Sequence, residues 1–374
     1  MNNILFVTHD ITTGGASRSL QGLLSYKQKN INAFLLVNII DATLFKISRA
    51  ELSKKFNIEE KNIIFGFIPF NYCYEFGETG LSLRRRISST IRYTLWLLYE
   101  PFYKVLLKQK NINIVHLSDL CLNQMIKSFY NTFIHVRSLL VRNKKQVYEN
   151  LTQSSGLVFI DEITKHICFE TGQHKSIVLC NPYNQSNVPE RPDELLIKQR
   201  TINISEKSIF VYAGQINFPL KGVGFIVDAF KKCKDDTMIL LLYGKAFGRS
   251  EADLLKEIDN ESGIYYLGEE NNLTNIYKYC DVIIRGEDKF SLGRTVFEGL
   301  FSGSLALIPG SEKDVSNTTE LKVFSNQVIV YKPRNKDNFI EGIIKCKGYK
   351  RITGDYTNNI KAYTQDFYHF IGAE

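Results

Sequence analysis

The chain has 374 residues, 44% hydrophobic and 23% charged, a globular composition with enough apolar material for two cores of ordinary domain size. Lysine and arginine outnumber acids 47 to 39, and the resulting +8 favours anionic partners such as nucleotides, acidic glycans or the inner leaflet of a membrane. The basic residues are scattered with no helix-turn-helix, zinc-finger or aromatic base-reading motif, which sets nucleic acid aside, and seven cysteines with no Cys-x-x-Cys argue against a disulfide framework or a zinc site.

The first segment, "NNILFVTHD", is a short β-branched and aromatic run that leads into the Gly14-Gly15 pair and an amphipathic helix. "NAFLLVNII", "NIIFGFI", "NIVHLS", "TFIHVRS" and "GLVFID" repeat the buried strand, with helical stretches between several of them. Such alternation implies a parallel sheet with helices on both faces. Residues 81–110 form a basic amphipathic stretch with Trp96 on its apolar side; an interfacial helix and a helix packed on its sheet both fit it. Residues 181–207 hold three of the eight prolines and read as a linker. Strand and helix alternation then restarts with "SIFVYAG", "TMILLLYG", "GIYYLG", "DVIIRG" and "LALIPG", each but the last followed by a helical stretch. The reading is α/β, two doubly wound parallel-sheet domains facing an interdomain cleft. Residues 1–185 are the first, 186–354 the second, and 355–374 an aromatic helix that crosses back to the first. Met1 runs directly into Ile4 to Val7, too short a run for a signal peptide, and no apolar run approaches the roughly eighteen residues of a membrane span, so a cytosolic location is expected.

In open parallel sheets, ligands bind beyond the carboxyl ends of the strands. "DVIIRGEDKFSLGRTVFEGLFSG" reads as a strand over 281–285, a loop over 286–293 at that edge, a helix over 294–302 and a stop at Gly303. Free amides near Leu292 to Val296 form an anion site, Gly293 lets a phosphate approach, and Arg294 adds charge. Glu298, one turn deeper on the same face, has two oxygens suited to the hydroxyls of a ribose. The same Arg294 and Glu298 also fit an ordinary surface pair worth about 0.3 to 0.5 kcal/mol. In "VYAGQINFPLKGVGFIVDAF" the strand ends at Ala213, the chain turns at Gly214, and Lys221-Gly222 precede another helix. Lys221 there can neutralise a diphosphate or be simply solvated.

The order Gly214, Lys221-Gly222, "LLLYGK", "YYLGE", "IYKYCDVIIRGED" and "GRTVFEGLFSG", preceded by "THDITTGGASRSL", resembles the retaining glycosyltransferases of the GT-B fold. These form the large bacterial group that builds surface polysaccharides and lipid-linked glycans. The resemblance covers nearly the whole chain and is more specific in the second half. It implies a nucleoside diphosphate sugar as co-substrate, bound by Lys221 at the diphosphate and Glu298 at the ribose, with amides near Gly293, Arg294 and Thr295 at the β-phosphate. It places Gly14 and Gly15 over the phosphates or the sugar, and Ser17, Arg18 and Arg137 toward a glycan or lipid-linked acceptor. His135, at the end of a strand, corresponds to a histidine that contacts sugar and acceptor, although a histidine there is also commonly structural. A catalytic set of His135, Lys221, Arg294 and Asp288 follows.

Two departures from the family pattern stand out. The arginine expected after the glycine of "AG" is Gln215, and Arg294 is the expected substitute. The first of two paired acids, separated from the second by seven residues, falls on Phe290; an opening two residues longer makes Asp288 the sugar-binding acid, with Glu287 in reserve. No Asp-x-Asp occurs, so no metal and no other cofactor is expected. The implied activity is transfer with retention of configuration, by a protein that contacts the inner face of the cytoplasmic membrane if 81–110 reaches lipid. A nucleotide-sugar epimerase or hydrolase of the same fold, and a catalytically silent glycan-binding or scaffold subunit, remain open alternatives.

Overall fold

The computed structural model describes residues 2–12, 15–71, 83–137, 144–168, 174–180, 191–197, 200–216, 221–246, 258, 263–270, 273–290, 292–352 and 360–373. Two compact units are present, one comprising Met1–Pro182 with Asn359–Glu374, the other Tyr183–Asn358.

In the first unit the chain runs β1 (Asn2–Thr8), α1 (Gly15–Ser25), β2 (Ile31–Asn38), α2 (Ile39–Leu44), α3 (Arg49–Phe56), β3 (Ile63–Gly66), α4 (Leu83–Gln109), β4 (Ile114–Leu117), β5 (Thr132–Val136), α5 (Lys144–Leu151), β6 (Gly156–Phe159), α6 (Glu162–Cys168) and β7 (Ser176–Val178). The strands form one sheet in the order β3-β2-β1-β4-β5-β6-β7, with every pairing parallel. Alternation along β1 explains the two-sided packing. Ile4 and Phe6 enter one apolar cluster, while Leu5 and Val7 enter another on the opposite face.

The second unit opens on an antiparallel hairpin, β8 (Glu194–Ile197) and β9 (Arg200–Asn203), where a linker was expected. Leu195, Ile202 and Ile204 join the core there, and Arg191 donates to Asp281 at 2.6 Å and to the carbonyls of Ile204 and Lys207. The prolines precede these short apolar runs and mask them in a composition window. The chain continues through β10 (Ser208–Ala213), α7 (Val223–Cys233), β11 (Met238–Tyr243), β12 (Ile264–Gly268), α8 (Leu273–Tyr277), β13 (Val282–Ile284), α9 (Arg294–Phe301), β14 (Leu305–Pro309), α10 (Glu312–Asn317), α11 (Thr319–Lys322), β15 (Val328–Tyr331) and α12 (Lys336–Cys346). Its sheet is β12-β11-β10-β13-β14-β15, again parallel throughout. The doubly wound α/β expectation therefore holds for both units. The helix expected at 250–260 falls largely outside the described residues.

The last helix, α13 (Ile360–Phe370), belongs to the first unit, where Tyr363, Phe367, Tyr368 and Ile371 enter the same cluster as Ile4 and Phe6. Trp96 of α4 is fully buried and stacks on Tyr103 at 5.0 Å, which seats α4 through one face on the first unit's core.

Candidate nucleotide site

In the second sheet β10 and β13 lie side by side, with β11 and β12 beyond one and β14 and β15 beyond the other. The succession of strands reverses between them. Loops leaving neighbouring strands at such a point diverge and leave a crevice at the carboxyl edge. The loop after β10 carries Gly214, Lys221 and Gly222, and the loop after β13 carries Arg285 to Gly293. Gly222, which precedes α7, sits at φ +64°, and a Cβ there would lie 1.6 Å from the carbonyl oxygen of Gly286. Only glycine lets the two loops meet so closely.

Buried charge gathers where they meet. Arg285 is 5% exposed; its Nε donates to Oε2 of Glu287 at 3.0 Å, its Nη2 to Oε1, and its Nη1 to the Thr295 hydroxyl at 3.1 Å. Lys221 Nζ lies 3.6 Å from the same Glu287 carboxylate. Gly293, ahead of α9, faces this guanidinium: a Cβ there would meet Nη1 at 2.9 Å. One turn on, Arg294 donates to Oε1 of Glu298 at 2.7 Å, and the Tyr277 hydroxyl donates to Oε2 at 3.0 Å. The side chains of Arg294 and Glu298 are 14% and 6% exposed, so this i,i+4 pair is not a solvated surface pair.

Burial lowers the pKa of Lys221, and the neighbouring Arg285 lowers it further against the pull of Glu287. Burial opposes the charge on Arg285 most strongly, but Glu287 together with Tyr212 and Tyr277 outweighs it and the guanidinium holds its proton more firmly than usual. Three cations, Lys221, Arg285 and Arg294, thus share two buried carboxylates, Glu287 and Glu298, beside the start of α9, whose Gly293 cap offers no side-chain hydrogen bond. A site with that excess of positive charge and exposed amides suits a phosphate group.

Lys221, Gly214, Glu287, Gly293, Arg294, Thr295 and Glu298 all come together here. Asp288 does not: its carboxylate is half exposed and pairs with Arg334. The chain bends at Asp288, and only one of the two adjacent acids is turned inward. Glu287 takes that position. Arg294, held by Glu298, and Arg285, held by Glu287, both lie beside this crevice, and Arg285 is the cation that sequence reasoning missed because it closes an apolar strand. The available signal was an arginine at the carboxyl end of a central parallel strand, just before a glycine.

The first sheet has its own reversal, between β1 and β4. Gly14 lies outside the described residues. Gly15 opens α1 with nothing within 4 Å of the position of a Cβ. Asp10 shapes the turn, accepting from Thr12 N at 3.1 Å and Ser17 N at 3.3 Å. Ser17 is buried and its hydroxyl meets no partner among the described residues, Arg18 is half-buried, and Arg137 Nε donates to the Ser118 carbonyl at 2.9 Å.

His135 sits elsewhere. It is fully buried, Nδ1 lies 2.6 Å from Nε2 of His116, Nε2 lies 3.1 Å from the Tyr363 hydroxyl of α13, and Phe367 stacks on the ring. Both ring nitrogens are engaged within the protein. Position 135 faces the side of the sheet that α13 covers, which is why the ring meets that helix.

No family model matches the sequence, and no curated protein matches it. In structure the chain is similar to Anabaena HepE solved with UDP and glucose, at TM-score 0.63 and 13% identity over 98% of this chain and 94% of that one. It is similar to a glycosyltransferase from Rickettsia africae, at TM-score 0.59 and 16% identity over 99% and 93% of the two chains. The lipopolysaccharide outer core galactosyltransferase WaaB aligns at TM-score 0.59 and 15% identity over 99% and 97%.

Proposed function

We propose, from the GT-B glycosyltransferase fold that this chain has, that it transfers a sugar from a nucleoside diphosphate sugar to a hydroxyl of a glycan or lipid-linked acceptor. The observation that carries this reading is the cation cluster of buried Arg285 with partly buried Lys221 and Arg294 around Gly293, with Glu298 one turn deeper. Lys221, the Nη1 side of Arg285 and the first amides of α9 hold the diphosphate. Glu298, already oriented by Arg294 and Tyr277, accepts the hydroxyls of the ribose. The structural neighbour HepE, solved with UDP-glucose, supports that class of donor.

As the bond from the anomeric carbon to the phosphate oxygen lengthens, negative charge grows on the leaving diphosphate. Fixed cations and amides in a site sheltered from water stabilise it without reorganising. The leaving phosphate oxygen takes the proton of the incoming hydroxyl on the same face, which gives retention without an enzymic nucleophile or a metal. Ser17, Arg18 and Arg137 in the first unit are assigned to the acceptor, and the biological setting to bacterial surface polysaccharide synthesis.

Thermal-shift titration with UDP, GDP and their sugars tests the reading. At about a hundredfold excess over Kd the matching nucleotide adds about 2.7 kcal/mol and raises the midpoint by several degrees. Glu298→Ala should abolish most of that shift, whereas Asp288→Ala should leave it intact for nucleotide and sugar nucleotide alike. If no nucleoside diphosphate stabilises the wild type, the transferase reading falls and the silent-subunit alternative stands.

A further inference from the structure

Helix α4 is apolar on two opposite faces. Trp96 and Tyr103 bury one of them in the first unit. The other carries Ile87, Ile91, Leu98, Phe102 and Val105 at helical spacing, each between 50% and 71% exposed. A helix seated on a sheet ordinarily turns polar side chains to water at those positions. Nine of the eighteen large apolar side chains exposed among the described residues belong to this one helix of 27 residues.

Its charges are equally one-sided. Arg84, Arg85 and Arg86 lie at its start and Lys104 and Lys108 near its end, whereas Glu100 is its only carboxylate and is paired with Lys104 at 2.8 Å. Arg92 is neutralised by Asp41 of α2 at 2.6 Å, a pair that fastens α4 to α2. The end of α2 adds Leu44 and Phe45, 70% and 58% exposed.

We infer that α4 is a membrane-surface helix that lies flat on a bilayer of anionic phospholipid. The stripe from Ile87 to Val105 enters the acyl region, and the basic groups at both ends meet headgroup phosphates. Charge favours lipid over a second copy of the chain. Stripe against stripe in parallel sets the arginine cluster beside its own copy, and the antiparallel arrangement sets it beside Lys108, Lys104 being offset by Glu100; both oppose like charges. No helix among the described residues is long and apolar enough to cross a membrane, so α4 rests on the surface. The assignment is independent of the nucleotide site.

Co-sedimentation of the full chain with phosphatidylcholine vesicles, with and without a third of the lipid replaced by phosphatidylglycerol, tests it. Wild type should pellet with the anionic vesicles and much less with the neutral ones, and salt should weaken the binding. Leu98→Asp with Val105→Asp should return binding to background, and Arg84→Ala with Arg86→Ala should weaken it about tenfold or more. All these side chains are exposed, so unfolding midpoints and nucleotide shifts should match wild type. The proposal is overturned if wild type stays in solution with anionic vesicles or binds neutral ones equally. It is also overturned if the aspartate variant pellets like wild type, or if wild type without lipid is a dimer that this variant dissociates.

Discussion

Arg285 has two tasks that a single substitution confuses. It neutralises Glu287, which is 5% exposed, and it aims Nη1 toward Thr295 and the glycines of the crevice. Arg285→Met leaves a buried carboxylate with Lys221 alone, and breaking a buried pair costs about 3 to 5 kcal/mol. Replacing Glu287 by Met as well removes the orphaned charge. The double variant should recover most of the lost stability in urea unfolding while its nucleotide affinity stays at least about tenfold below wild type. Recovery of both would confine Arg285 to a structural role. The histidine pair makes a separate prediction. Burial lowers both rings, with Arg137 adding to it, His116 to about 3 and His135 well below the ordinary 6.5. The unfolded chain takes up protons below about pH 6.5 that the folded unit refuses, so stability falls as pH drops from there toward about 3, by about 1.4 kcal/mol per unit for each ring. His135→Phe should roughly halve that slope in urea melts between neutral pH and about pH 5; an unchanged slope would show that the rings titrate freely. At this scale Glu298 was legible because its distance from a glycine-arginine step is a helical turn. Arg285 was not, because hydrophobic patterning absorbs a charge that closes a strand.

Loops and helix starts depend on how closely backbones approach. Gly222→Ala would force a methyl group into the Gly286 carbonyl at a positive φ, and should cost the second unit at least about 2 kcal/mol as well as its nucleotide response. Gly15→Ala, with open space around it, should leave the unfolding midpoint within about 0.5 kcal/mol of wild type. Calorimetry on the two variants checks the contrast, and equal effects would mean that the loop contact is not rigid. Most strands were readable because a two-sided parallel sheet writes itself as continuous apolar runs. The hairpin of β8 and β9 was not, since its strands are four residues each and follow a proline-rich stretch. The edge strand β15 and α12 also escaped notice, although Asn335 caps α12 through its side chain and Phe339, Ile343 and Cys346 mark its buried face.

For the whole molecule, repeated strand and helix alternation was enough to indicate two doubly wound units. What sequence patterns do not carry is which face of a helix meets what: α4 reads the same whether its second apolar stripe is covered or open. The return of α13 also reverses an ordinary expectation about synthesis. Domains usually fold in the order in which they emerge from the ribosome. Here the second unit is one uninterrupted segment, Tyr183–Asn358, while the first waits for Asn359–Glu374 to supply Tyr363 and Phe367 to its core. The later-made half should therefore be the first to reach its final state, and the amino-terminal half should remain open to proteases and chaperones until residues 360–371 have left the ribosome. Limited proteolysis of released chains ending at 358 and 374 reads this directly: the shorter should yield a resistant second unit beside a digested first, and equal resistance of the first unit in both would refute it.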